Sequence, residues 1–266
     1  MSKHSHWAKI KRKKEVADKE RGQMFSKVLR MISVAAKRGG DPETNASLRL
    51  AIEKAREFNM PKETIERAVK KGSGGLEGGI LEEVLYEAYG PGKIAILIES
   101  ITDNKNRALN EIKKILERYN GKLVTPGSVK WMFERKGCLT ADCKPSTRAK
   151  LGAGLVPHRN EVSGAGLQIE DFKNKEKLEL MAIEAGAEDI RWSNDVLEIY
   201  TKVEDLENVK RNLEDKEVKI ESASLDWVAK EEIKVSEEDK IAAQKLFEDL
   251  DESEEVQEIY SNIKLP

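Results

Sequence analysis

Apolar residues recur along this chain with two periods, and the switches between them mark out its elements. From Arg21 onward, Phe25, Val28, Leu29, Ile32, Ala35 and Ala36 fall on one helical stripe, and Gly39-Gly40 supplies a stop. After an Asp41-Pro42 turn, Leu48, Ala51, Ile52, Ala55 and Phe58 form the apolar side of a second helix. A third opens at Pro61, a residue suited to a first turn, runs through Ile65, Ala68 and Val69, and ends at Gly72. Residues 21–71 therefore read as a small helical domain. Residues 72–79, GSGGLEGG, are five-eighths glycine and read as a flexible linker.

Beyond the linker the period becomes two. Residues 83–89 and 94–101 flank Gly90-Pro91-Gly92 as a hairpin, and the second strand, apolar on both faces, has the character of a central one. Asp103 can cap a helix with Leu109, Ile112, Ile115 and Leu116 on its apolar side, closing at Asn120-Gly121, and Val129, Trp131 and Phe133 alternate as a third strand. This ββαβ set lacks one helix and one strand. Both stand at the end of the chain, where Ser236 can cap a helix with Ile241, Leu246, Phe247 and Leu250 inward, and residues 256–263 alternate.

Between these halves lies a complete βαββαβ set, the ferredoxin-like pattern. Its strands are expected near 137–140, 189–192, 196–201 and 218–228, and its helices at 175–185 and 204–213. The fold class expected is thus α+β with three domains: a helical head and two small ferredoxin-like α/β sandwiches, one nested in the other. The boundaries are a basic arm at 1–20, the head at 21–71, the linker at 72–79, a discontinuous α/β domain at 80–134 plus 235–266, and an inserted α/β domain at 135–234. Residues 142–170 have glycines, prolines and no period, and read as a mobile loop within the insert, with a structured extra element as the alternative. Nesting predicts that residues 129–134 and 256–263 share one sheet.

Composition supports several small cores: 39% of the 266 residues are apolar, 36% charged and only 5% aromatic, so each core is aliphatic and thin. No apolar run approaches bilayer length and the first residues carry Lys and His, so a cytoplasmic protein with no membrane partner is expected, or an organellar one after trimming of a transit segment. Cys138 and Cys143 cannot staple such a chain.

Charge changes the picture most. The formal net of -2 conceals 19 basic against 10 acidic residues at positions 1–80, and 28 against 39 in the rest. Twelve basic residues precede Asp41, facing only Glu15, Asp18 and Glu20, and such a concentrated positive end implies a polyanionic partner. Lys3, His4, Lys9, Lys11, Arg12, Lys13 and Lys14 can neutralise phosphates around Trp7, whose ring can stack on a base or dock the arm onto the head. Arg21 follows, and Lys27, Arg30, Lys37 and Arg38 gather opposite the apolar stripe as an outward basic face. That face has no Asn or Gln to read adenine, so it is better at gripping backbone than at choosing sequence. It favours salt-sensitive duplex binding with little sequence preference, and tighter binding where RNA and protein surfaces meet all three domains. Residues 234–258 are acidic enough to repel a nucleic acid, or to lie over the basic head in its place. At the start of the second-domain helix, Asp103 suffices as a cap, while Asn104, Asn106 and Arg107 can instead bind a phosphate in a cleft.

Enzymatic chemistry finds little support. No glycine-rich stretch ends in the Gly-Lys-Ser/Thr of a phosphate-binding loop. Three histidines and two cysteines do not form two tight ligand pairs, and neither cysteine has an evident base. No catalytic residue, metal, cofactor or small-molecule substrate is expected.

The residues His4, Ser5, Trp7, Ala8, Ile10, Lys11 and Lys14, followed by Arg21, Gly22, Met24, Phe25, Ser26, Lys27 and Arg30, resemble the start of the YebC/PmpR family. GGDPETNASLRLAIEKAREFNMPKETIERAVKKG, YEAYGPG, DNKNRALNEIKK, GKLVTPGSVKWMFERKG and EAGAEDI are similar to later family segments in the same order, covering nearly the whole chain. Lys3 stands where the family usually has Gly, His6 where it usually has Lys, and the 142–170 loop is longer than usual. The resemblance implies a helical head with two α/β domains around a cleft, and a regulatory role. Members are described as DNA-binding transcriptional regulators; others, including a mitochondrial translational activator of cytochrome oxidase, are described as acting at the ribosome. Nucleic acid, as duplex DNA or as structured or ribosomal RNA, is the partner implied, with the ribosome as the alternative.

Overall fold

The computed structural model describes residues 18–74, 81–142, 169–193 and 196–264. The arm at 1–17, most of the linker and the loop at 143–168 lie outside the described residues. The fold is mixed α/β, with seven α-helices and two antiparallel sheets among the described residues. It divides into two compact units, Met1–Glu134 with Trp227–Pro266, and Arg135–Asp226. The helical head and the first sheet fall in the same unit.

In the head, α1 (Asp18–Ala36), α2 (Ala46–Glu57) and α3 (Lys62–Gly72) bury Val28, Ile32, Leu48, Ala51, Ala55, Ile65 and Ala68 in one cluster. Asn45 joins two of these helices. Its Oδ1 accepts from Leu48 N at 3.1 Å, capping α2, while its Nδ2 donates to the Ala35 and Gly39 carbonyls, both at 2.8 Å, at the end of α1. Helices α1 and α3 cross closely because a Cβ at Gly72 would stand 2.0 Å from the Ser33 carbonyl oxygen. Gly72, expected to open a linker, is a packing residue.

In the first sheet, β1 (Glu82–Tyr89) and β2 (Ala95–Thr102) pair antiparallel from Glu82↔Thr102 to Tyr89↔Ala95 around a 3₁₀ turn at Pro91–Lys93. β3 (Lys122–Val124) flanks β1 and β8 (Glu258–Ser261) flanks β2, so the order is β3-β1-β2-β8. One sheet face, through Ile96, Ile98 and Ile259, packs on α4 (Lys105–Arg118) and α7 (Glu237–Glu252). Ala95, Leu97 and Tyr260 line the other, covered by Val129, Phe133 and Ala229. Both faces of β2 are therefore buried, which explains its unbroken apolar run.

Three expectations are corrected here. Residues 129–133 are not a strand of this sheet, because Lys130–Met132 form a 3₁₀ turn and β4 (Phe133–Asp142) belongs to the second sheet. The third strand is β3, too short to show an alternation. In α7, Ile241 is 53% exposed and Ala243 takes the inward place, since two residues turn a helix by about 200°. Leu109 of α4 is likewise exposed.

Strands β4, β5 (Asp189–Ser193), β6 (Val196–Thr201) and β7 (Ile220–Ala229) form the second sheet in the order β5-β6-β4-β7, with α5 (Ile169–Ala185) and α6 (Leu206–Asp215) between them in sequence. Leu139, Ala141, Leu197 and Ile199 are fully buried on one face by register, and the helices bury Leu178, Ala182, Ala185, Leu206, Val209 and Leu213. The opposite face is polar yet enclosed. Tyr200 Oη donates to Glu198 Oε2 at 2.7 Å, Thr140 and Ser222 hydroxyls lie 2.6 Å apart, and burial raises the Tyr200 phenol, with the Glu198 carboxylate adding to it.

Candidate nucleic-acid interface

Eight of the expected contact residues, Lys3, His4, Trp7, Lys9, Lys11, Arg12, Lys13 and Lys14, lie outside the described residues. Arg21 falls in the first turns of α1. The remaining four are described in full: Lys37 and Arg38 are exposed, while Lys27 and Arg30 are turned onto acidic partners, so they form only part of the outward basic face that the helical period implies.

Lys27 is 4% exposed; its Nζ donates to the Asp251 carbonyl oxygen at 2.6 Å and lies 3.2 Å from that residue's carboxylate. Arg30 donates to the Glu254 carbonyl oxygen and sits 3.5 Å from its carboxylate. Gln23 reaches the Glu252 carbonyl at 3.4 Å. These acceptors are carbonyls at the C-terminus of α7 and just after it, where helix ends and the helix dipole both favour cations. Lys54 adds an ion pair with Glu258 at 2.6 Å. Lys37 donates to the Leu81 carbonyl oxygen, and Arg38 pairs with Glu83 at 3.6 Å with both side chains largely exposed. A wheel tells which residues share a side; it does not tell what lies opposite, and here an acidic segment does.

At the start of α4 a second correction is needed, because the cap is Asn104 and not Asp103. Asn104 Oδ1 accepts from Arg107 N at 3.1 Å. Asp103 instead holds Nη2 of the Arg107 guanidinium at 2.7 Å, and Glu255, 4% exposed, accepts from Nε and Nη2 of the same group, also at 2.7 Å. Glu255 first and Asp103 second raise the Arg107 pKa, and the Arg107 hydrogen bond lowers that of Asp103. The cation expected to meet a phosphate thus already has two carboxylates, while Asn106 is exposed.

Sequence reasoning missed Glu87. Within β1 and 4% exposed, it accepts from the backbone N–H groups of Gly127, Val129 and Lys130 at 2.6, 2.7 and 2.9 Å. Burial pushes its pKa up, but these three bonds, aided by the Lys130 charge, bring it below the ordinary value. The turn so held presents Trp131, 64% exposed, with its Nε1 donating to the Ser128 carbonyl at 2.9 Å. The signal available was an acidic residue inside the apolar run VLYEAY, followed later by the turn former TPGS.

No group of three or more His, Cys, Asp or Glu able to hold a metal occurs among the described residues, and no helix there is long and apolar enough to cross a membrane.

A mixed α/β chain with its positive charge concentrated in the first forty residues defines the class. The family model described as the TACO1/YebC protein N-terminal domain matches residues 5–75, and that of the TACO1/YebC second and third domain matches residues 81–263. Proteins called probable transcriptional regulatory protein from Prosthecochloris aestuarii and Halothermothrix orenii are 41% and 42% identical, covering 99% and 100% of this chain and 96% of each relative. The crystal structure of a conserved hypothetical protein from Aquifex aeolicus matches with a TM-score of 0.78 and 39% identity, covering 94% of this chain and 92% of that one. The chain belongs to the TACO1/YebC family.

Proposed function

We propose that this protein is a non-enzymatic, nucleic-acid-binding regulator of gene expression, acting on duplex DNA as a transcriptional regulator. The observation that carries this reading is the segregation of charge: twelve basic residues against three acidic ones before Asp41, on a chain whose formal net is -2. The relatives' naming as probable transcriptional regulatory proteins supports the class.

Because Lys27, Arg30, Lys37 and Arg38 have partners within the unit, the arm carries the main contact in this reading, through Lys3, Lys9, Lys11, Arg12, Lys13 and Lys14, with His4 and Trp7 beside them. The test is charge reversal of Lys11, Arg12, Lys13 and Lys14 to Glu in the full chain. Every phosphate left without its cation lowers the slope of log K against log salt by ~0.9 on duplex DNA, so binding weakens and the slope flattens. Unchanged affinity and slope would mark the arm as a solubilising tail. Competition separates targets: a regulator of transcription prefers one promoter fragment over random duplex by roughly a thousandfold or more at physiological salt. Competition by purified ribosomes, with no promoter preference, would move the protein to translation.

A further inference from the structure

We infer that the turn carrying Trp131 is a second nucleic-acid contact, a platform on which one unpaired base stacks. This rests on the reading that the chain binds nucleic acid, and adds to it a site far from the arm in sequence.

Trp131 is the most exposed of the large apolar side chains among the described residues, at 64%. Its position is fixed rather than incidental. Val129 and Phe133, on either side, are 0% and 3% exposed and anchor the segment in the core beneath. The buried Glu87 carboxylate ties down Gly127, Val129 and Lys130 through their backbone N–H groups, and the Thr125 and Ser128 hydroxyls are 3.1 Å apart across the turn. The indole N–H is already spent on the Ser128 carbonyl, so what the ring offers a partner is its π face and not a hydrogen bond.

Charge selects the occupant. Residues 121–133, GKLVTPGSVKWMF, hold Lys122 and Lys130 and no carboxylate, within the part of the chain that carries 39 acidic against 28 basic residues. Both lysines are exposed, and Lys130 Nζ is held 5.1 Å from the Trp227 ring centroid. The Glu87 carboxylate that ties the turn down is buried and taken up by backbone N–H groups, so a preset aromatic face beside two exposed lysines fits a base and its phosphates. Bases within a duplex are stacked on one another and offer no free face, so the ligand is a single-stranded stretch or an unpaired base.

The experiment compares the full chain with Trp131→Ala and Trp131→Phe for binding to fluorescent oligouridine and to a duplex of equal length across a salt series. Removing the stack costs on the order of tenfold in single-strand affinity for Trp131→Ala. Trp131→Phe retains most of the binding, duplex affinity is unchanged, and the salt slope stays the same because stacking releases no counterions. Ultraviolet crosslinking to an oligonucleotide carrying 5-iodouridine, with the adduct mapped by mass spectrometry, falls on Trp131. Equal single-strand binding by the wild type and Trp131→Ala, or an adduct confined to other residues, overturns the platform while leaving the nucleic-acid reading in place. Failure of the wild type to bind either oligonucleotide at low salt overturns both.

Discussion

Glu87 occupies a strand position where its neighbours are apolar, and its burial is tolerated because three backbone donors converge on it. Its folded pKa lies below the ordinary 4.5, so the stabilisation is present above that value and is lost as pH falls through the lower folded one. Acidification below about pH 4.5 is therefore expected to lower the protection of the Gly127, Val129 and Lys130 amides against hydrogen exchange, measured relative to the intrinsic rate at each pH. Glu87→Gln, with one neutral acceptor oxygen in place of a carboxylate, lowers the opening free energy at these amides by ~2–3 kcal/mol at pH 7 and removes most of its acid dependence. If the three amides exchange no faster in the variant, something other than the carboxylate holds the turn. Lys27 gives the complementary case of a buried cation. Lys27→Glu places a carboxylate against the α7 carbonyls and Asp251, at about 3–5 kcal/mol, read as an early thermal unfolding transition.

Among the helices, Asn45 does more than cap. Asn45→Ala removes the cap of α2 and two hydrogen bonds to the end of α1, an expected loss of ~2 kcal/mol by chemical denaturation. Asn45→Asp keeps the acceptor for Leu48 N and loses both donors, so it falls between the wild type and the alanine variant; an aspartate as damaging as alanine would mean the bonds to α1 carry the whole effect. Element existence was largely legible here. The stripes through Val28 and Ile32, Leu48 and Ala51, and Ile65 and Ala68 are the buried ones, and Ser236 accepts from Asp239 N as the cap of α7. Residues 129–133 show where legibility stops. Their alternation is real, since Val129 and Phe133 are buried and Trp131 is not, but the Val129 and Lys130 N–H groups bond Glu87 instead of a neighbouring strand. Side-chain alternation reports which faces are wet, and a 3₁₀ turn with anchored ends mimics it.

Over the whole molecule, charge decides which basic residues are available to a polyanion. The structure assigns Lys27 and Arg30 to the end of α7, so their substitution is expected to act on stability, whereas reversal in the arm acts on binding. Arg30→Gln should leave the salt slope of nucleic-acid binding within error of wild type and lower the thermal midpoint. A flattened slope with an unchanged midpoint would return α1 to the interface.

Composition and periodicity by themselves determined the helices of the head, the strands and helices beyond it apart from the third strand of the first sheet, and the basic end, because each is written in neighbouring residues through the helical or strand repeat. Which strand closes which sheet, the burial of Lys27 against Asp251 and the convergence of three amides on Glu87 were decided only in the folded chain. The last two join residues 40 to 224 positions apart, and no local period encodes any of the three.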